Sequence, residues 1–324
     1  MSRRSLKVRI AKIIQKFPFH FLHPIERFLV HNKNAKLDNS NLVFLLALPR
    51  SGSTLTYQIL CHSLRFNYLS NIWLLLFQLP WLGGKVSAYL TKNYFSDFKS
   101  QHGLTEGIIG PAEGLDFWRY WAGFDLCEQS KERDLNYDIS IRRDYLSSVL
   151  ESVSDSQRPF LTAYLGHTLD PVRLMRMFPN AKYIRLRREP VSNALSLLNS
   201  MRKSKSSWLS IVPGESSSSI NLTEHEKVAS QVYWLNRRLD KITTNKCLLD
   251  LSYENLCSNP KQEIERVILW LKSNNINPLK SNALPESFVY KRVNYENADA
   301  ILIKKEIDLL ELKYGKLVCG ESDE

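Results

Sequence analysis

The residues best suited to chemistry fall in Pro49-Arg50-Ser51-Gly52-Ser53-Thr54, directly after an uncharged apolar run from Leu42 to Leu48. That run is long enough for one buried strand. The small residues that follow let the backbone pass close to a ligand before a helix opens at about Ser53. Strand, tight turn and helix make a cradle for phosphate, because the first N–H groups of the helix point at the anion and its dipole favours negative charge. Laid on the nucleotide P-loop pattern Gly-x-x-x-x-Gly-Lys-Ser/Thr, Ala47 to Thr54 keeps Gly52 and the final hydroxyl of Thr54. It has Ala47 for the first glycine and Ser53 for the lysine that grips the outer phosphates of a triphosphate. A positive charge enters elsewhere in the loop, as Arg50. The cradle is kept and the triphosphate grip is not.

A second constellation comprises Arg188, Pro190 and Ser196. A strand over Ala181 to Leu186 leads straight into Arg187-Arg188-Glu189-Pro190, and proline suits the first helical position because its missing N–H would have no partner there. Ser196 lies eight positions after Arg188, two turns into the helix. A forked guanidinium and a hydroxyl so placed can clasp one phosphate. A proton acceptor is less sharply marked. The glycine-rich turn Gln101 to Gly114 offers Glu113 and His102, and His167 stands where another strand ends, in Leu165-Gly166-His167.

Elements that could position these groups alternate along the chain. Strands are expected at 42–48, 159–165, 181–186 and 247–251. Helices are expected from 53 to 66, 144 to 154, 171 to 178, from Pro190, from the capping box Thr223/Glu226, from Pro260 to about Lys272, and from 299 to 314. Alternation of this kind builds parallel βαβ units, hence an α/β fold with a mainly parallel central sheet flanked by helices on both faces. Ligands gather at the carboxyl ends of such strands, where Pro49 to Thr54 and Arg187 to Pro190 both emerge. The serine-rich stretch Lys203 to Asn221 reads as a mobile flap. Residues 67–125 are crowded with aromatic rings, some of which could line an acceptor pocket.

At 324 residues the chain can bury a substantial core, and its formal charge of +11 suits anionic partners. Residues 1–40 form a basic leader, in which Arg3, Arg4, Lys7, Arg9, Lys12 and Lys16 alternate with apolar residues. It reads either as an amphipathic helix in peripheral contact with an anionic membrane or as a solvated packing helix. The remainder, 41–324, reads as one domain. The best candidate for a spanning segment, Ile72 to Gly84, is broken by Gln78 and Pro80 and falls short of the roughly 20 residues of a spanning helix. Five scattered cysteines, Cys61, Cys127, Cys247, Cys257 and Cys319, read as reduced thiols of a cytoplasmic protein, with no metal site among them.

The motifs together resemble those of the sulfotransferases that use 3′-phosphoadenosine 5′-phosphosulfate (PAPS). Pro49-Arg-Ser-Gly-Ser-Thr-Leu55 is similar to their 5′-phosphosulfate loop, and Lys182-Tyr-Ile-Arg-Leu-Arg-Arg-Glu-Pro190 followed by Ser196 to their 3′-phosphate motif. Met175-Arg-Met-Phe-Pro-Asn-Ala-Lys182 and Leu251-Ser-Tyr-Glu-Asn-Leu-Cys-Ser-Asn-Pro260 resemble two further segments in the same order, so the likeness runs from about 42 to 272. It implies a P-loop type α/β fold, PAPS as donor without a metal, and a hydroxyl acceptor, foremost on a carbohydrate or glycolipid, with small alcohols, phenols and a protein tyrosine as alternatives. It also implies that Arg50, Ser51, Gly52, Ser53, Thr54 and Leu55 hold the 5′ end of the donor, that Arg188 and Ser196 hold its 3′-phosphate, and that Arg50 acts on the leaving phosphate. Many relatives carry a glutamate or histidine soon after the first helix, but Arg65 to Leu74 contains neither. The base is therefore sought in Glu113, with His167 and His102 as alternatives. Lys291 and Arg292 would add charge near the 3′-phosphate. A P-loop kinase, with Asp250 holding magnesium, and a basic polyanion binder are the competing classes, although outside the leader the cations are interspersed with acids and a nucleic-acid partner is not expected.

Overall fold

The computed structural model of the chain describes residues 19–31, 38–99, 105–126, 137–218, 221–242 and 246–318. The leader helix expected over 1–16, His102, Cys127 and Cys319 lie outside these residues. Five strands, β1 (Leu42–Leu46), β2 (Asn67–Tyr68), β3 (Phe160–Thr162), β4 (Lys182–Arg187) and β5 (Leu248–Ser252), form one sheet in the order β2-β3-β1-β4-β5. Every pairing is parallel, with Leu42 opposite Phe160, Val43 opposite Lys182 and Tyr183 opposite Leu248.

Central β1 shows why the sheet must be covered on both faces. Its five residues are all buried. Leu42, Phe44 and Leu46 enter one core and Val43 and Leu45 the other, as the period of two requires. The helices used below are α1 (His23–His31), α2 (Ser53–Ser63), α3 (Pro80–Leu90), α4 (Leu115–Ala122), α5 (Tyr137–Ser152), α6 (Pro171–Met177), α7 (Pro190–Ser204), α8 (Glu224–Asp240), α9 (Pro260–Ser273) and α10 (Ala298–Tyr314). On the Phe44 face lie Phe117, Trp118 and Trp121 of α4, Leu197 and Leu198 of α7, and Val228, Val232, Leu235 and Leu239 of α8. On the Val43 face lie Tyr57, Ile59 and Leu60 of α2 and Ile264, Val267 and Leu271 of α9.

Several boundaries differ from the sequence reading. The strand β2 was not expected, because two residues carry no periodicity; Asn67 and Tyr68 are recruited by pairing with Phe160 and Leu161. The strand expected over 159–165 is only β3, since the chain turns at once into a short helix, Gly166–Leu169. The stretch read as a mobile flap is fastened instead. Gln231 of α8 donates to the carbonyls of Leu209 and Ile211 at 2.8 and 2.6 Å, Ile211 is fully buried, and the Ser216 and Ser230 hydroxyls lie 2.8 Å apart. The capping box forms as expected, with Thr223 and Glu226 bonding reciprocally.

Candidate active site

The turn after β1 has the shape that its small residues allow. Arg50 sits at φ 62° with its side chain exposed, and Gly52 at φ 94°. Ser51 is buried and ties the turn back on itself, its hydroxyl donating to the Leu48 carbonyl at 2.7 Å. Gly52 is the N-cap of α2 and no side chain caps that helix; its first bond runs from the Thr56 amide to the Gly52 carbonyl at 3.0 Å. The amides of Ser53, Thr54 and Leu55 therefore have no acceptor within the helix and are free for an anion. Glycine at 52 is required twice over. The left-handed φ disfavours any side chain, and a Cβ would lie 2.1 Å from the Tyr253 ring packed above it.

The turn after β4 closes against this cradle. Arg188 donates to the carbonyl of Arg50 at 2.6 Å and to the hydroxyl of Ser192 at 2.9 Å, and its guanidinium lies 4.9 Å from the centroid of Tyr253. Asn193, buried, donates to the Pro49 carbonyl at 2.7 Å. The two turns are thus joined by Arg188 and Asn193, at adjacent carboxyl ends of the sheet. Arg188, Ser192 and Ser196 are spaced i, i+4 and i+8, Arg188 just before α7 and the two serines on one side of it, with Ser196 half-buried. Unlike α2, α7 has its N-terminus capped: Glu189 accepts from the amides of Val191 and Ser192 at 2.8 and 2.5 Å. An anion is thereby directed to α2.

Charge is distributed accordingly. Arg185 forms a two-pronged pair with Asp250, both bonds at 2.6 Å, and Arg187 pairs with Asp240 and reaches Asn236. Among the described residues no ion pair uses Arg50 or Arg188. Arg188 at the cradle and the exposed Arg50 are thus left without an acidic partner, while the acid that a kinase would need, Asp250, is occupied by Arg185. The described residues include no group of three or more His, Cys, Asp or Glu side chains that could hold a metal. Lys291 and Arg292 are exposed beside this region; Arg292 donates to the Tyr290 hydroxyl at 3.2 Å, and the Tyr290 ring is 6.5 Å from that of Tyr253.

Glu113 reaches the same edge of the sheet from the other side of the cradle. Its segment follows β2: the Ala112 amide donates to the Leu69 carbonyl at 2.8 Å, and Pro111 bridges Ser70. The carboxylate is close enough to Tyr57 of α2 and Tyr164 after β3 for its charge to act on both. Burial without a compensating hydrogen bond raises its carboxyl to about 7. His167 is placed differently. It is fully buried, edge-on to the rings of Phe44, Trp118, Phe124 and Tyr164 at 5.5, 4.5, 4.9 and 5.1 Å, and neither ring nitrogen has a hydrogen-bond partner. Burial, with Arg173 nearby, lowers it to about 3, so it is a neutral core residue at physiological pH. The sequence reading did not single out Ser192, Asn193 or Tyr253. The i, i+4, i+8 spacing could have exposed Ser192, and Tyr253 stands within the segment Leu251 to Pro260; nothing local marks Asn193.

A family model described as "Sulfotransferase family" matches residues 43–274. A sulfotransferase, STF9 from Mycobacterium avium, is similar in structure with a TM-score of 0.50 at 14% identity, over 91% of this chain and 72% of that one. The sulfotransferase domain from the curacin biosynthetic pathway aligns with a TM-score of 0.42 at 17% identity, over 87% and 93% of the two chains. No curated protein sequence matches the chain. With the family model spanning well over half its length, and a mainly parallel five-stranded sheet of the P-loop-like α/β type carrying the matched segment, the chain belongs to the sulfotransferase family.

Proposed function

We propose that the protein transfers a sulfuryl group from PAPS to a hydroxyl of a carbohydrate or glycolipid acceptor. The observation that carries this reading is the Arg188 bridge to the Arg50 carbonyl, which brings an uncapped helix N-terminus and a guanidinium without an acidic partner to one place. PAPS carries anionic groups at both ends of its ribose, and the two joined turns offer one anion site each. The amides of Gly52 to Leu55, with Arg50, Ser51 and the Ser53 and Thr54 hydroxyls, hold the 5′ end. Arg188 and Ser196 hold the 3′-phosphate, supported by Ser192 and by the Tyr253 ring.

The donor supplies an activated sulfuryl group. The acceptor oxygen bonds to sulfur while the bond from sulfur to the 5′-phosphate oxygen breaks, and adenosine 3′,5′-bisphosphate leaves. Arg50 and the α2 amides face the oxygen that gains charge in that step, where fixed donors accelerate the reaction most. Glu113 takes the acceptor proton; a carboxyl raised to about 7 is a far better base near neutrality than an ordinary carboxylate. His167, neutral but sealed among aromatic rings, cannot reach an acceptor without opening the core. The aromatic-rich residues 67–125, which contain Glu113, supply the acceptor side, and 41–324 work as one domain.

Calorimetry with adenosine 3′,5′-bisphosphate and with magnesium ATP tests the donor class, and transfer of labelled sulfate from PAPS to a panel of saccharides and glycolipids tests the acceptor. Preference for the bisphosphate without magnesium, and label in a saccharide or glycolipid, are expected. Magnesium-dependent ATP binding with no response to the bisphosphate would defeat the reading.

A further inference from the structure

Helix α1 leaves an unusual share of its apolar residues outside. Its inward residues are Val30, a core residue, and Glu26, each 5% exposed, whereas Phe21, just before it, and Ile25, Phe28 and Leu29 are 58, 59, 66 and 42% exposed. These four stand at i, i+4, i+7 and i+8, a continuous apolar stripe that a globular protein would normally direct to its core. The arrangement is built in. The Glu26 carboxylate accepts from the Leu82 amide at 2.8 Å and from the Tyr145 hydroxyl at 2.9 Å, and these bonds anchor the helix by its polar side. Leu82 of α3, whose amide makes the first of these bonds, is itself 40% exposed.

The charges carried by α1 and by Pro80 to Phe95 are, Glu26 apart, of one sign. In α1 the only acid is the inward Glu26, and its one Lys or Arg is the exposed Arg27, whose guanidinium lies 5.6 Å from the Tyr145 ring. From Pro80 to Phe95 there is no acid, and Lys92 is exposed there. The 18 residues before Phe19 carry six basic side chains and no acidic one. Two such surfaces brought together as a dimer would oppose like charges, whereas an anionic lipid surface satisfies both the apolar stripe and the cations. We infer that Phe21, Ile25, Phe28, Leu29 and Leu82 form a docking surface for an anionic bilayer, on which α1 lies in the plane of the interface.

One short helix separates α1 from Glu113. The His23 ring of α1 lies 5.5 Å from that of Trp121, near the end of α4, and α4 begins two residues after Glu113. Eight helical residues span about 12 Å. Docking itself does not depend on the sulfotransfer reading, because it requires neither nucleotide nor turnover.

The test is co-sedimentation of the full-length protein with vesicles of phosphatidylcholine alone and of phosphatidylcholine with phosphatidylserine, for the natural chain and for I25E/F28E. Adenosine 3′,5′-bisphosphate binding and the thermal melt serve as controls for folding. The proposal expects binding to the phosphatidylserine vesicles that weakens in high salt, and at least about a tenfold loss in the double variant with both controls unchanged. A milder pair, I25S/F28S, covers the case in which I25E/F28E fails to fold. Natural protein that stays in the supernatant overturns the proposal, as does a folded variant that binds vesicles as well as the natural chain. A dimer that the substitution dissociates, without any vesicle binding, overturns it in favour of a second copy.

Discussion

Replacing Glu113 by glutamine should alter stability and turnover in opposite directions, and both follow from one carboxyl. Burial raises that carboxyl from an ordinary 4.5 to about 7. The folded state therefore holds a proton over an interval in which the unfolded chain has lost it. With more protons bound in the folded than in the unfolded state, stability falls as pH rises from 4.5 to about 7 and is level above it. At about 1.4 kcal/mol per pH unit, the ionised carboxylate destabilises the fold by at most about 3 kcal/mol at pH 8, less the share that its partial exposure screens. Glu113→Gln removes that cost, so urea unfolding at pH 8 should show the variant gaining on the natural protein, and the gain should vanish near pH 4.5. Turnover should move the other way. If the ionised form accepts the proton, the natural enzyme accelerates about tenfold between pH 6 and 8, and the variant loses about 100-fold or more with a flat profile. A variant with full turnover, or one whose relative stability does not change with pH, would refute the reasoning.

Arg188→Ala deletes a charge-assisted contact of about 1.5 to 3 kcal/mol, so calorimetry should find adenosine 3′,5′-bisphosphate bound about 10- to 150-fold more weakly; Arg188→Lys should recover little, because an ammonium cannot reproduce the fork between Arg50 and Ser192. Gly52→Ala places a methyl against the Tyr253 ring at a left-handed φ, and should weaken nucleotide binding at least about tenfold while the far core, followed by the thermal melt, loses only about 1 to 3 kcal/mol. His167→Phe should keep most activity. It should also reduce acid sensitivity: a histidine lowered to about 3 leaves the unfolded chain binding the extra proton below 6.5, so the natural protein loses about 2 kcal/mol on going from pH 7 to 5, and the variant should not.

Much of the frame is legible in the residues. An apolar run without charge, ending in Pro49-Arg50-Ser51-Gly52, specifies a buried strand and a turn that only glycine can complete, and the structure adds the reason in the Tyr253 ring above Gly52. Pro190 marks the start of α7, and the capping box at Thr223 marks the start of α8. What the sequence hides are contacts between distant segments. Asn193 holds the Pro49 carbonyl across 144 positions, and no local pattern distinguishes it from an ordinary helical asparagine. His167 reads as the end of a strand, yet it lies in the short helix after β3, and α4 brings Trp118 over it. The flap between Lys203 and Asn221 has a mobile composition, but two carbonyls in it find Gln231. The outward stripe of α1 is visible as a helical pattern, although its direction depends on where Glu26 is anchored.

The central claim is that the turns after β1 and β4 grip opposite ends of one doubly phosphorylated adenosine. A crystal structure with adenosine 3′,5′-bisphosphate tests it most directly. The account predicts the 5′-phosphate against the amides of Gly52 to Leu55 and the 3′-phosphate against Arg188 and Ser196, with Tyr253 still over Gly52. Nucleotide bound at any other edge of the sheet, or one phosphate left in solvent while Arg188 keeps its contact to Arg50, would contradict it.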